Sequence, residues 1–236
     1  MLRSLFGEPP RKDEGLLLEA MQSIKQYDKR LQKLMEKDPK RCHRYTYFSL
    51  WALSLIGSLN ELEQSVYAAE GYSQKITTTY VEGMSPEELS GYQRYNYYYK
   101  NAFIRLFSVL DKLGYFTDEL LELNTRKVKE RYSYYTVLRQ LHHRRSDPDL
   151  DRQLFDIKTK YKDTMARLRK QRNMEVHLFN AEMLDDLARA NLCRGDRTYV
   201  ERLDENMRDL QEGLDMVCLS LHTVFTYVVR KGKMIV

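Results

Sequence analysis

The stretch Arg172-Asn173-Met174-Glu175-Val176-His177 puts an arginine, a carboxamide and an imidazole within two turns of a helical pattern. Asn173 and His177 are four residues apart, so on a helix they share a face, one turn above the other. Histidine is the side chain best suited to moving protons near neutral pH. The planar guanidinium of arginine is permanently charged and matches the oxygens of a phosphate. Asparagine can orient either partner, or hydrogen-bond a hydroxyl or a phosphate. RNA carries its own nucleophile, the 2′-hydroxyl. An acid/base group and a cation that stabilises a phosphorane-like transition state therefore suffice to cut it. DNA lacks that hydroxyl and would not be cut this way. On spacing alone, an exposed histidine on an amphipathic helix remains an equally good reading of the same residues.

The elements that must hold these residues are helical. Of the 236 residues 42% are hydrophobic, enough for a core, while only 10 Gly and 5 Pro are present. Few turn formers and long Leu/Glu/Lys/Arg-rich runs predict an all-α protein, an up-and-down bundle of about six to seven helices. The net charge of +5 fits a polyanionic partner without requiring one. Cys42, Cys193 and Cys218 are far apart and lack CxxC spacing, so they read as reduced thiols of a cytoplasmic protein, not as a disulfide or zinc framework. The N-terminus lacks the apolar core of a signal peptide, and no apolar run is long enough to span a membrane.

Along the chain, residues 1–13 read as a tail, 14–230 as one helical domain and 231–236 as a second tail. A helix is expected from Glu14 to Lys37, stopped by Asp38-Pro39. A second, Arg44 to Glu70, is apolar over a wide arc and is ended by Gly71. Gln74 to Gly83 is a connection with some extended structure. Ser85-Pro86-Glu87-Glu88 combines an N-cap serine, a first-turn proline and the glutamate of a capping box. The helix it opens is expected to end at Gly114, with Thr117 capping a short helix to Leu123. Asp147-Pro148 starts a further helix through Tyr161 and Leu168, and periodicity continues past the motif to Gly195. Thr198 and Glu201 offer another capping box, before a last helix that runs to Val228.

In such an all-α chain, Arg172-Asn173-x-x-x-His177 resembles the signature of the HEPN superfamily, in which a polar residue often follows the arginine directly. The stretch Phe107-Ser108-Val109-Leu110-Asp111-Lys112-Leu113-Gly114-Tyr115-Phe116 resembles the corresponding helix of a stand-alone bacterial branch. The resemblance covers about 85–228; the region before Ser85 is assigned by helical pattern alone. It implies a metal-independent, cofactor-free endoribonuclease that acts as a homodimer, its two motifs facing each other in a composite site. Carried over, Arg172 stabilises the phosphate, His177 is the acid/base and Asn173 positions one or both. Family members act as toxins with a cognate antitoxin protein, in antiphage defence or in RNA processing. Others have lost activity and serve as RNA- or protein-binding modules, which is the alternative for this chain. A plain oligomerisation scaffold is a third reading.

Asp111 is a candidate supporting acid, holding the motif arginine as in some HEPN proteins, or else a local surface charge. The basic runs 126–145 and 158–172 nominate Arg144, Arg145, Arg167, Arg169 and Lys170 as RNA-backbone contacts, although solvated helix faces are the usual outcome. His142-His143 is disfavoured as a metal site, because adjacent helical residues point about 100° apart. His222 reads as a hydrogen-bonded core histidine. The tyrosines at 95–99 and 132–135 fill core positions or stack on unpaired bases. No Gly-rich phosphate loop, GxSxG or HExxH is present.

Overall fold

The computed structural model describes residues 2–127, 132–177, 199–200 and 202–232, with only the backbone of Leu5 and His177. The chain is all-α, with seven α-helices among the described residues: α1 (Gly15–Lys37), α2 (Cys42–Ser73), α3 (Pro86–Leu120), α4 (Tyr134–Arg144), α5 (Pro148–Lys160), α6 (Lys162–His177) and α7 (Leu203–Lys231). None of them is long and apolar enough to cross a membrane. The expected helical stretch 178–195, the Thr198/Glu201 capping box and Cys193 lie outside the described residues.

Several boundaries follow the expected chemistry. Asp38 leaves the helical region ahead of Pro39 at φ −131°, ψ 82°, and α1 ends there. Other boundaries move, for physical reasons. Gly71 does not end α2; a Cβ there would lie 2.8 Å from the Phe6 ring, so the glycine makes room for an aromatic side chain. Gly114 likewise lies inside α3, which continues to Leu120 and absorbs the separate short helix expected after it. A Cβ at Gly114 would stand 2.9 Å from Tyr134 Cα, so this residue is glycine because α4 crosses at backbone contact. The helix expected to run unbroken from Pro148 breaks at Tyr161 (φ −102°, ψ 18°), giving α5 and α6.

The chain divides into two compact units. One comprises 1–11, 61–105 and 163–214. Its interior holds a ladder of tyrosines on α3: Tyr92, Tyr95 and Tyr99 stack with centroids 6.1 and 5.6 Å apart, and Phe103 meets Tyr99 edge-on at 5.4 Å. Spacings of three and four residues put these rings on one face, and all four are buried in this unit's apolar interior. Arg3 and Arg11 both reach Glu63, tying the N-terminal strap to α2. The extended structure expected after Gln74 is one antiparallel bridge, Tyr80 to Tyr199, with Val200 N donating to Thr79 O at 2.9 Å.

The other unit comprises 12–60, 106–162 and 215–236. Its centre is an aromatic cluster from four helices: Tyr27 of α1, Phe48 of α2, Phe116 of α3 and Phe225 of α7. Phe116 and Phe225 stack at 4.8 Å, while Tyr27 and Phe48 present edges to Phe116. Such rings bury large areas and prefer these offset and edge-on geometries. Ser133 and Thr136 form a reciprocal capping box at the start of α4.

Candidate functional site

The motif lies at the C-terminal end of α6, which is helical through His177. Helical backbone across Asn173 and His177 turns the two positions about 40° apart about the axis, one turn apart along it. Arg172 is half-buried, with its Nε shielded from solvent, while Asn173 is exposed. The side chain of His177 lies outside the described residues. Within the motif, Glu175 accepts an ion pair from Lys100 Nζ of α3 at 3.1 Å, both side chains about a quarter exposed. The motif segment is thereby pinned to the tyrosine-rich helix, and Lys100 spends its charge on a carboxylate. Sequence reading missed this pair, because nothing local links positions 100 and 175.

Beside the motif runs a groove of about 480 Å³ lined by Arg167, Lys170, Gln171, Arg202, Glu205, Asn206 and Asp209. Two of the residues nominated for RNA backbone line it, and their states differ. Arg167 is committed: Nε and Nη2 donate to the two oxygens of buried Asp209 at 2.7 and 2.6 Å. That hydrogen-bonded carboxylate raises the arginine pKa further above its ordinary value. The pair fixes α6 against α7 and leaves Nη1 as the atom that neither oxygen engages. Lys170, one turn on, is exposed at the groove, and Arg169 is exposed on α6 as well. The lining mixes three cations with two carboxylates, so its net charge is weakly positive.

Arg144 and Arg145 belong to the other unit and do helix-terminal work there. Arg144 Nη1 donates to Glu122 O at 2.8 Å. Arg145 adopts the left-handed conformation at φ 50° and closes α4 through its own N–H to Leu141 O. Asp111 lies in that same unit, where its Oδ1 accepts the Tyr134 N–H at 2.8 Å, satisfying an open donor at the start of α4. This capping bond is a structural task the sequence did not reveal, since Asp111 and Tyr134 are 23 residues apart.

Other groups depart from their expected surroundings. Glu88, expected to complete a capping box with Ser85, does so only halfway: Ser85 Oγ accepts the Glu88 N–H at 3.1 Å. The Glu88 carboxylate instead collects the N–H groups of Thr77 and Thr78 at 2.7 and 2.8 Å and the Thr78 hydroxyl at 2.6 Å. Those donors, led by the Thr78 hydroxyl, lower its pKa to about 2. Arg126, in the basic run, has its guanidinium 4.9 Å from the Tyr115 ring centroid and 5.3 Å from that of Tyr132. His142 has a carboxylate partner, Asp151 Oδ2 at 2.8 Å from Nδ1. The signal was available: the Asp147-Pro148 helix start turns the chain back, so that a residue nine positions on lies beside His142. Among the described residues no cluster of His, Cys, Asp or Glu is arranged to hold a metal ion. His222 is half-buried and pairs with the carbonyl of Glu19 at 3.3 Å.

Comparison with known proteins gives one positive result. The family model described as "HEPN_Cthe2314:-like HEPN" matches residues 51–229, which include both the Phe107–Phe116 stretch and the whole Arg172–His177 motif. No curated protein and no solved structure matches the chain.

Proposed function

Because the chain belongs to the Cthe2314-like HEPN family, we propose that it is a metal-independent endoribonuclease that cuts RNA by attack of the 2′-hydroxyl on the adjacent phosphorus. The observation that carries the reading is a complete Arg172-Asn173-x-x-x-His177 motif on α6, inside a family match that spans three-quarters of the chain. His177 takes the 2′-hydroxyl proton or protonates the departing 5′-oxygen. Arg172 neutralises the charge that builds on the non-bridging oxygens, and Asn173 orients the reacting groups. The products are a 2′,3′-cyclic phosphate and a 5′-hydroxyl. No step needs a cofactor, and the enzyme works as a homodimer that pairs two motifs. A cellular role as a toxin with a cognate antitoxin, or in defence or RNA processing, is consistent with this chemistry.

The experiment is an incubation of purified protein with mixed single-stranded RNA. Wild type is expected to release cyclic-phosphate ends at a rate unchanged by chelator. Arg172→Ala and His177→Ala are expected to lose on the order of 100-fold or more of that rate while keeping the wild-type circular dichroism spectrum. Cleavage that persists in pure His177→Ala protein would overturn the reading. RNA binding without turnover in wild type would move the protein to the non-catalytic HEPN-like modules.

A further inference from the structure

The helical hairpin α4–α5 carries a second constellation that the motif does not use. It encloses a cleft of about 100 Å³ lined by Leu138, Arg139, His142, Asp151, Phe155 and Lys158. Phe155 is 52% exposed, an unusual state for a ring on a helix whose two leucines, Leu150 and Leu154, are buried. The His142 ring runs within 25° of parallel to it, with the centroids 6.5 Å apart. Lys158 Nζ stands 5.5 Å from the Phe155 centroid, and Arg139 is exposed on the α4 side. Asp151 holds His142 through Nδ1 at 2.8 Å, which fixes the ring and leaves Nε2 for another hydrogen-bond partner.

We propose that this cleft binds one unpaired ribonucleotide, its base stacked on Phe155 and its flanking phosphate held by Lys158 and Arg139. Three features choose that ligand. The apolar floor of Leu138 and the exposed Phe155 face offer a flat surface to a planar ring, and every base has a π-face to present. The volume accommodates one ring and is too small for a folded peptide segment. The two cations beside the ring supply the charge that a phosphate requires, and the single carboxylate in the lining is already engaged by His142. The hairpin geometry explains why the cleft exists. Asp147-Pro148 restarts the helix immediately after Arg145 turns left-handed, so α4 and α5 pack side by side with residues 138–142 facing residues 151–158. This subsite rests on RNA being the ligand, as in the proposed function, but does not depend on cleavage.

The test uses the full chain carrying His177→Ala and a ten-nucleotide single-stranded RNA containing 5-iodouridine. Ultraviolet crosslinking is expected to map to Phe155. Phe155→Ala is expected to weaken binding by about tenfold, and Phe155→Tyr to restore it. Lys158→Gln is expected to flatten the slope of log affinity against log salt by about 0.7, the share of one single-strand phosphate. A duplex of the same sequence, which offers no unpaired base, is expected to be indifferent to Phe155→Ala. Unchanged single-strand affinity in Phe155→Ala overturns the proposal. So does loss of affinity for a polyglutamate peptide in that variant while RNA binding is untouched, since the cleft is then a peptide site. The ribonuclease reading fails separately: wild type that binds RNA through Phe155 and never cleaves it keeps this subsite and loses the enzyme.

Discussion

At the scale of single residues, the most informative carboxylate is one that the sequence assigned to the wrong partner. Glu88 is only partly covered, yet four donors from Thr77 and Thr78 converge on it, and its pKa falls to about 2. In the unfolded chain this group takes up its proton near its ordinary value of 4.5, while in the folded chain it stays ionised until about 2. Its contribution to stability is therefore fully present above the unfolded value and is lost as pH falls through the folded one. We expect Tm to drop more gently between pH 4.5 and pH 2 in Glu88→Gln than in wild type. Coincident Tm-against-pH curves for the two proteins would refute the assignment. Arg167 itself stays charged at every accessible pH, held by both oxygens of Asp209.

At the scale of elements, two glycines that look alike in sequence divide sharply in the structure. Gly57 is inside α2, where an added methyl would meet nothing within 4 Å, whereas Gly114 is inside α3 with Tyr134 Cα at 2.9 Å from the same point. Alanine in an open helix interior relieves the entropic cost of glycine, so Gly57→Ala is expected to stabilise by about 0.5–1 kcal/mol. At Gly114 the same helical gain is outweighed by pushing α4 off α3, and Gly114→Ala is expected to destabilise by about 1–3 kcal/mol. Chemical denaturation of both variants checks the contrast; equal signs would mean that α3 and α4 do not approach so closely. Helix starts were legible in the sequence, because Ser85-Pro86 and Asp147-Pro148 carry their chemistry within four residues. The glycine positions were legible too, but not their purpose: a terminator and a close crossing use the same residue, and only the partner 20 positions away distinguishes them. The motif on α6 was legible only as a candidate, since its residue types alone fit an exposed histidine on an amphipathic helix equally well. Its supports were not, since Lys100–Glu175 and Arg167–Asp209 join positions tens of residues apart with no local signature.

At the scale of the whole molecule, the question is how many chains make one working site. A single motif supplies one arginine and one imidazole, whereas the proposed cleavage needs a proton taken from the 2′-hydroxyl and another given to the leaving oxygen. Two motifs brought together by a twofold axis supply both, with a second arginine to share the phosphate charge. If the site is built that way, activity belongs to the dimer and responds to mass action. We expect the specific activity to fall on dilution below the dimer dissociation constant, with the total rate passing from first to second order in protein concentration. Poisoning gives the sharper measurement. After subunit exchange with about a ninefold excess of His177→Ala, only about a tenth of wild-type chains meet a wild-type partner, so the rate should fall roughly tenfold. The dilution series and the exchange experiment read the same quantity in opposite ways, since one removes partners and the other spoils them. A rate that stays proportional to the wild-type protein added, in both experiments, would show that one motif on one α6 is enough.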